Sequence, residues 1–358
     1  MASYYVDKAN GSDSTGDGSS GNPWATLNYA LTTGGASGGD IIFVANTAAQ
    51  TGSVSLASAV GGAGTPITIQ AWDNGGSITA DLLGETVVGF EMDGQSSSAS
   101  AFTGSSNFLY IRGAKIHSYT STPITNSNGA YWALADCEIY GNGARGIYNL
   151  SYLRAYRCHV HDNATEGIWF GAEGVAIECA IINNNYHGIR NATAAINCVI
   201  ASTNNTAALA LAFKGIAYKN TIAGGDSGGV TGIDASSSYL AVMVSNIITK
   251  FNLTNDYPIY LTGAGTCIIG NNAFYDCNAQ YFPAGGLDFT SYDITEPSDP
   301  LADDSSGDFN LVSGAGAIGG GRVAMSANGV AQYVGAVKPS ASGGGSPAIL
   351  RGSIKFGT

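Results

Sequence analysis

The chain has 358 residues, of which 51 are glycine, 44% are hydrophobic and only 11% are charged; its formal net charge is -12 and its pI is near 4.5. Enough apolar surface is present to offset the entropy of folding, the glycines follow no Gly-X-Y period, and the negative balance repels nucleic-acid phosphates. A disordered tail, a collagen and a nucleic-acid binder are therefore excluded. No run of 18 apolar residues occurs and the opening MASYYVDKANGSDS lacks a basic start followed by an apolar core, so neither a membrane span nor a Sec-type export signal is predicted.

In chain order, residues 1–38 read as an N-terminal strand and a short amphipathic helix, Pro23 to Leu31 (PWATLNYAL), followed by the strand GGDIIFVA at 38–45. Residues 39–286 then repeat. Cys137, Cys158 and Cys179 are 21 residues apart, Cys198 follows after 19, and each is followed two residues later by Ile139, Val160, Ile181 or Ile200. The same slot continues at Ala114 upstream and at Asn220, Asn246 and Asn272 downstream, with Ile116, Ile222, Ile248 and Phe274 two residues on. A second phase places Ile147, Ile168 and Ile189 directly after Gly146, Gly167 and Gly188. Two short strands per turn, separated by glycine or asparagine corners, cannot bury a face alone but can when the turns stack. The spacing thus predicts an all-β parallel β-helix of about 8–10 rungs. An N-terminal helix would cap one end, and an irregular, acidic then glycine-rich segment at 287–358 the other. The cysteine column is expected to be a stack of small buried thiols, because no Cys-x-x-Cys or His-x-x-x-His spacing suggests a metal.

The opening YYVDKANGSDSTGDGSSGNPWATLNYAL, the strand GGDIIFVA, the 20-odd-residue rungs and the segment DPLADDSSGDFNLVSGAGAIGGG resemble the right-handed parallel β-helix proteins of the pectate-lyase-like superfamily. Asp299, Pro300, Asp308, Phe309 and Leu311 match the family's closing segment, while Gly314, Ala315 and Gly316 replace its Ser-Pro turn. The resemblance implies a polysaccharide partner and one of several roles. The first is a bacteriophage tailspike or other virion appendage that recognises a cell-surface glycan, possesses a homotrimeric assembly with other virion proteins, and is found on the virion or outside the cell. The second is a free polysaccharide lyase, hydrolase or epimerase, and a purely structural solenoid is the third.

Chemistry is expected on the outward positions, where successive rungs stack equivalent residues. The column after the slot carries Lys115, Glu138 and His159, and the column before it carries Asp136 and Arg157. These five are the candidate catalytic residues, combining acids or bases with cations able to neutralise a carboxylated sugar. His117, Tyr140 and His161 lie two residues further on. With Tyr148, Trp169 and Arg190, which follow the Gly-Ile pairs, they form the candidate carbohydrate-binding set. No cofactor is expected. The aspartates at 7–17 and 288–308 offer oxygen ligands for calcium but do not match an Asp-x-Asp-x-Asp-Gly loop, so solvated turns are the expectation.

Overall fold

The computed structural model describes residues 1–56, 61–62, 64–103, 108–126, 131–149, 152–202, 207–224, 230–253, 255–261, 265–277, 294–295, 301–303 and 308–311. They form an all-β parallel solenoid with one short helix. Each full turn holds three strands, not the two expected. One turn comprises a leading strand Tyr131–Ala135, a middle strand Glu138–Tyr140 and a trailing strand Ile147–Asn149; the next repeats them as Tyr152–Tyr156, His159–His161 and Ile168–Phe170. The additional leading strand alternates inward Trp132 and Leu134 with outward Tyr131 and Ala133, the half-buried period of 2. Middle strands stack into an 11-stranded sheet. Leading and trailing strands join in an 18-stranded sheet, because Ile189–Ile196 and Ala207–Tyr218 run from one face into the next without a break.

Except for Ala114, which begins its middle strand, the slot residues lie at the corner between leading and middle strands rather than inside a strand. Immediately before each slot stands a residue in the left-handed conformation: Gly113, Asp136, Arg157, Glu178, Asn197, Lys219, Ser245 and Asn271, with φ from 50° to 73°. This one-residue bend turns the chain while its amide stays in the inter-turn ladder, as in Asp136 N–H to Tyr156 O at 3.1 Å and Arg157 N–H to Ile177 O at 3.0 Å. The strain of a left-handed non-glycine residue, roughly 1–2 kcal/mol, is tolerated because stacking on both sides fixes the bend.

Inside the corner, Cys137, Cys158, Cys179 and Cys198 are buried free thiols. Each lies within 3.2–3.5 Å of the carbonyl oxygen two residues before it and donates its S–H there. Burial pushes the Cys198 thiol well above its ordinary pKa, which keeps that thiol protonated. Below it the slot changes chemistry. Asn220 Nδ2 donates to Asn246 Oδ1 and Asn246 Nδ2 to Asn272 Oδ1, both at 3.0 Å, forming a buried amide ladder. A second ladder, Asn142 to Asn163 to Asn184 at 2.9 Å per step, lines the corner between middle and trailing strands. Between the ladders, one core runs the length of the coil through Ile116, Ile139, Val160, Ile181, Ile200, Ile222 and Ile248. Each buried isoleucine contributes on the order of 2 kcal/mol.

At the N-terminal side the helix spans Leu27–Thr32, shorter than the sequence reading of Pro23 to Leu31. Thr26 is its N-cap: Oγ1 accepts from Tyr29 N–H at 3.1 Å and donates to Asp13 Oδ2 at 2.7 Å. Trp24 belongs to the preceding segment, pairing with Val6 and stacking on Tyr4 at 5.0 Å. Asp7 is not a solvated turn residue, since it is fully buried and accepts from Ala9, Asn10, Thr47 and Asn74. Of the closing segment expected at 287–358, Leu301–Asp303 and Asp308–Leu311 pair as an antiparallel hairpin. Residues 294–295 pair with the middle sheet, and the remainder lies outside the described residues.

Candidate functional site

The register brings the predicted columns together: Glu91, Lys115, Glu138 and His159 stand opposite one another on consecutive middle strands, as do Asp93, His117, Tyr140 and His161. Their inward neighbours Ile116, Ile139 and Val160 are core residues, so the alternation turns both columns outward. An antiparallel hairpin, Thr79–Asp81 with Thr86–Val88, folds over part of this face. Asp81 N–H donates to Glu138 Oε2 at 3.0 Å, His159 Nδ1 donates to the Asp81 carbonyl at 3.2 Å, and Arg157 pairs with Glu85 at 3.2 Å. As a result Glu138 and His159, outward in register, are only 7% and 5% exposed.

The five candidate catalytic residues thereby separate. Asp136 is clamped between Arg112 Nε at 2.9 Å and Arg157 Nε at 2.8 Å, and Arg157 carries the chain of charges on to Glu85. These corner groups hold strand, bend and hairpin together. His159 is kept neutral by burial and by the neighbouring His161, its pKa lowered to about 4, and its Nε2 has no hydrogen-bond partner. Glu138 responds differently. Burial opposes its ionisation, but the contacts from His161, the Asp81 amide and Lys115 prevail and hold its carboxyl below the usual range. Lys115 Nζ is 3.9 Å from Glu138 Oε2 and 5.5 Å from the centre of the Tyr140 ring.

Tyr140 lies between two imidazoles, 4.9 Å from His117 and 5.0 Å from His161, with the latter ring parallel to within 1°. Each histidine has a carboxylate at hand. His117 Nε2 is 2.6 Å from Glu91, and His161 is 2.7 Å from Asp162 and 3.5 Å from Glu138. Burial lowers the His161 pKa, yet Glu138 and Asp162 outweigh it and raise it overall, which favours the imidazolium. Burial also raises Tyr140, partly offset by Lys115, so this phenol is a neutral donor. A proton donor, a phenol, an ammonium group and an ionised carboxylate thus share three rungs.

An open groove of about 480 Å³ adjoins the stack, lined by Gly141, Gly143, Asp162, Ala164, Asn183 and Asn185. Two residues beyond Gly143 and Ala164 stand Arg145 and Glu166, on the approach to the trailing strands. There Tyr148, Trp169 and Arg190 fall on successive turns as expected. The Trp169 ring is covered, however, by the Arg145 guanidinium at 4.3 Å from the side of the preceding turn and by Arg190 at 4.0 Å from the following one. Sugar stacking on its faces would have to displace a guanidinium. Among the described residues, no group of three or more His, Cys, Asp or Glu side chains is arranged to hold a metal ion.

Sequence reasoning did not select Glu91, Asp93, Asp81 or Arg145. Glu91 and Asp93 occupy Phe90–Asp93, whose alternating pattern repeats that of Ala114–His117 one turn on, so this signal was present. Asp81 had none, because its role arises from an inserted hairpin.

No protein-family model matches the chain, and no curated protein matches it. Among solved structures, it is similar to the pectate lyase Pel9A, with a TM-score of 0.61 at 16% identity over 95% of this chain and 97% of that one. Weaker likenesses reach an alginate lyase from Paenibacillus sp. (TM-score 0.47, 16% identity, 83% and 96% covered) and the Azotobacter vinelandii mannuronan C-5 epimerase AlgE4 A-module (0.47, 13%, 72% and 76%). The first likeness defines the class of fold as the parallel β-helix of a pectate lyase.

Proposed function

We propose that the protein binds an extracellular polysaccharide along the outer face of the middle sheet and cleaves it there. The observation that carries this reading is the His117–Tyr140–His161 stack, with its carboxylates and Lys115, bordering an open groove. Supporting it, the fold is that of a pectate lyase, and turns repeating every ~4.8 Å present equivalent side chains to a repeating polymer. His161 serves as proton donor, Tyr140 and Lys115 address the reacting sugar, and Glu138 maintains the charged state of His161. Asp136, Arg157 and His159, expected to be catalytic, act through position instead.

The test is incubation of the purified chain with uronate-containing and neutral polysaccharides, following absorbance near 235 nm for unsaturated products and reducing ends for hydrolysis. Tyr140→Phe and His161→Gln should each lower the rate roughly 100-fold or more. A wild-type chain that binds and converts none of the polymers would overturn the function, and undiminished rates in both variants would overturn the site.

A second reading keeps the glycan and changes the carrier: a virion appendage assembled as a trimer. The unbridged cysteine column supports it, since buried thiols suit assembly in a reducing compartment. Sedimentation of the purified chain as a monomer would count against it.

A further inference from the structure

The charged residues near the groove are unevenly balanced. At the corner, Arg112 and Arg157 are matched by Asp136 and Glu85. On the stack, Glu91, Asp93, Glu138 and Asp162 outnumber Lys115, His117 and His161. Beside the trailing strands the sign reverses: Arg145 and Arg190 share one carboxylate, Glu166, at 3.1 Å and 3.3 Å. Glu166 is 3% exposed and neutralises one guanidinium, which leaves one unit of positive charge on a protein whose net charge is -12. Among the described residues, the next carboxylate in the Arg190 column, Asp234, stands two turns further along.

This pair is held in place from two directions. Glu166 anchors both guanidinium groups from within, and stacking on Trp169, with Tyr148 a further 5.0 Å from Arg145, fixes their planes. About a third of each arginine side chain remains accessible. A planar guanidinium with an immobilised stem loses little entropy on binding an oxyanion and offers it two parallel N–H donors. Arg145 and Glu166 follow the groove residues Gly143 and Ala164 by two positions each along the chain, which sets the pair next to the groove.

We infer that Arg145 and Arg190 form an anion-binding subsite, and that the glycan lying in the groove is acidic, its carboxylate or sulfate group held by these two guanidinium groups. The inference rests on the proposed glycan-acting role and adds the class of substrate. It keeps Arg190 as a carbohydrate-binding residue, as expected from the sequence, and gives Tyr148 and Trp169 the task of positioning the cations instead of the sugar.

Binding can be measured by calorimetry with three size-matched probes: an oligouronate, a sulfated neutral oligosaccharide and an unsubstituted neutral oligosaccharide. The expected result is tighter binding of one anionic probe, which identifies carboxylate or sulfate as the group held, weakening as salt is raised. Arg145→Gln and Arg190→Gln should each weaken that binding about tenfold or more, with the neutral probe unaffected. Arg190→Lys, which retains the charge opposite Glu166, guards against loss of folding, and it should bind less tightly than wild type because it lacks the planar fork. Arg154→Gln, an exposed arginine on the leading sheet, should change nothing. Equal binding of neutral and anionic probes, or unchanged anion binding by a folded Arg145→Gln/Arg190→Gln double variant, would overturn the inference while leaving the glycan-acting role intact. Failure to bind any of the three would overturn both.

Discussion

His159 shows how one residue links burial to pH. Its folded pKa of about 4 lies below the ordinary histidine value of about 6.5, so between those limits the unfolded chain takes up a proton that the folded chain refuses. Stability should therefore fall as pH drops from about 6.5 to about 4, by up to about 3 kcal/mol from this group. Glu138, whose pKa is lowered, adds stability that is present above its ordinary value and is lost as pH falls through the folded one. His161, whose pKa is raised, adds stability that is complete below about 6.5 and is lost as pH rises through its folded value. Urea unfolding across this range should show a shallower acid slope in His159→Gln, whose amide can still donate to the Asp81 carbonyl; an unchanged slope would refute the assignment. The columns holding these residues were legible in the sequence, because a fixed offset from the cysteine slot defines each. Their burial was not, because the covering hairpin begins at Thr79, 80 residues away from His159 along the chain.

At the scale of elements, the ladders set the corners. Asn246 accepts from the Asn220 backbone N–H and side chain, each at 3.0 Å, and donates to Ala217 O and Asn272 Oδ1, all at a site of zero exposure. Asn246→Ala leaves these partners unmade and should cost about 3 kcal/mol. Asn246→Cys should cost less, since a slot cysteine can accept a backbone N–H, as Cys179 does from Cys158 at 3.5 Å. Thermal midpoints of the two variants would decide, and equal losses would deny the ladder its role. The slot itself was plain in the sequence. Its placement at a bend was not, because Arg157, Glu178, Lys219 and Ser245 are not residues that signal a left-handed conformation. Stacked neighbours, not local preference, impose that geometry, and the same neighbours turn the preceding segment into a third strand.

For the whole molecule, stability should be close to a sum over turns and their interfaces. Asn220, Asn246 and Asn272 are spaced by 26 residues, so deleting 221–246 joins Asn220 to Ile247 and preserves the corner that follows each slot. The shortened chain should retain its β circular dichroism and, with residues 91–190 untouched, the glycan binding proposed for it; an aggregated or unfolded product would contradict a nearest-neighbour solenoid. By itself the sequence determined the repeat, the inward column of thiols and amides, and the outward columns that carry charge. Each of these depends only on spacing along the chain, which a periodic coil converts directly into position. Tertiary structure alone decided which outward residues meet solvent, which are clamped at a corner, and where positive charge is left over. Those outcomes depend on an inserted hairpin and on competition among neighbouring ions, and neither is periodic in the sequence.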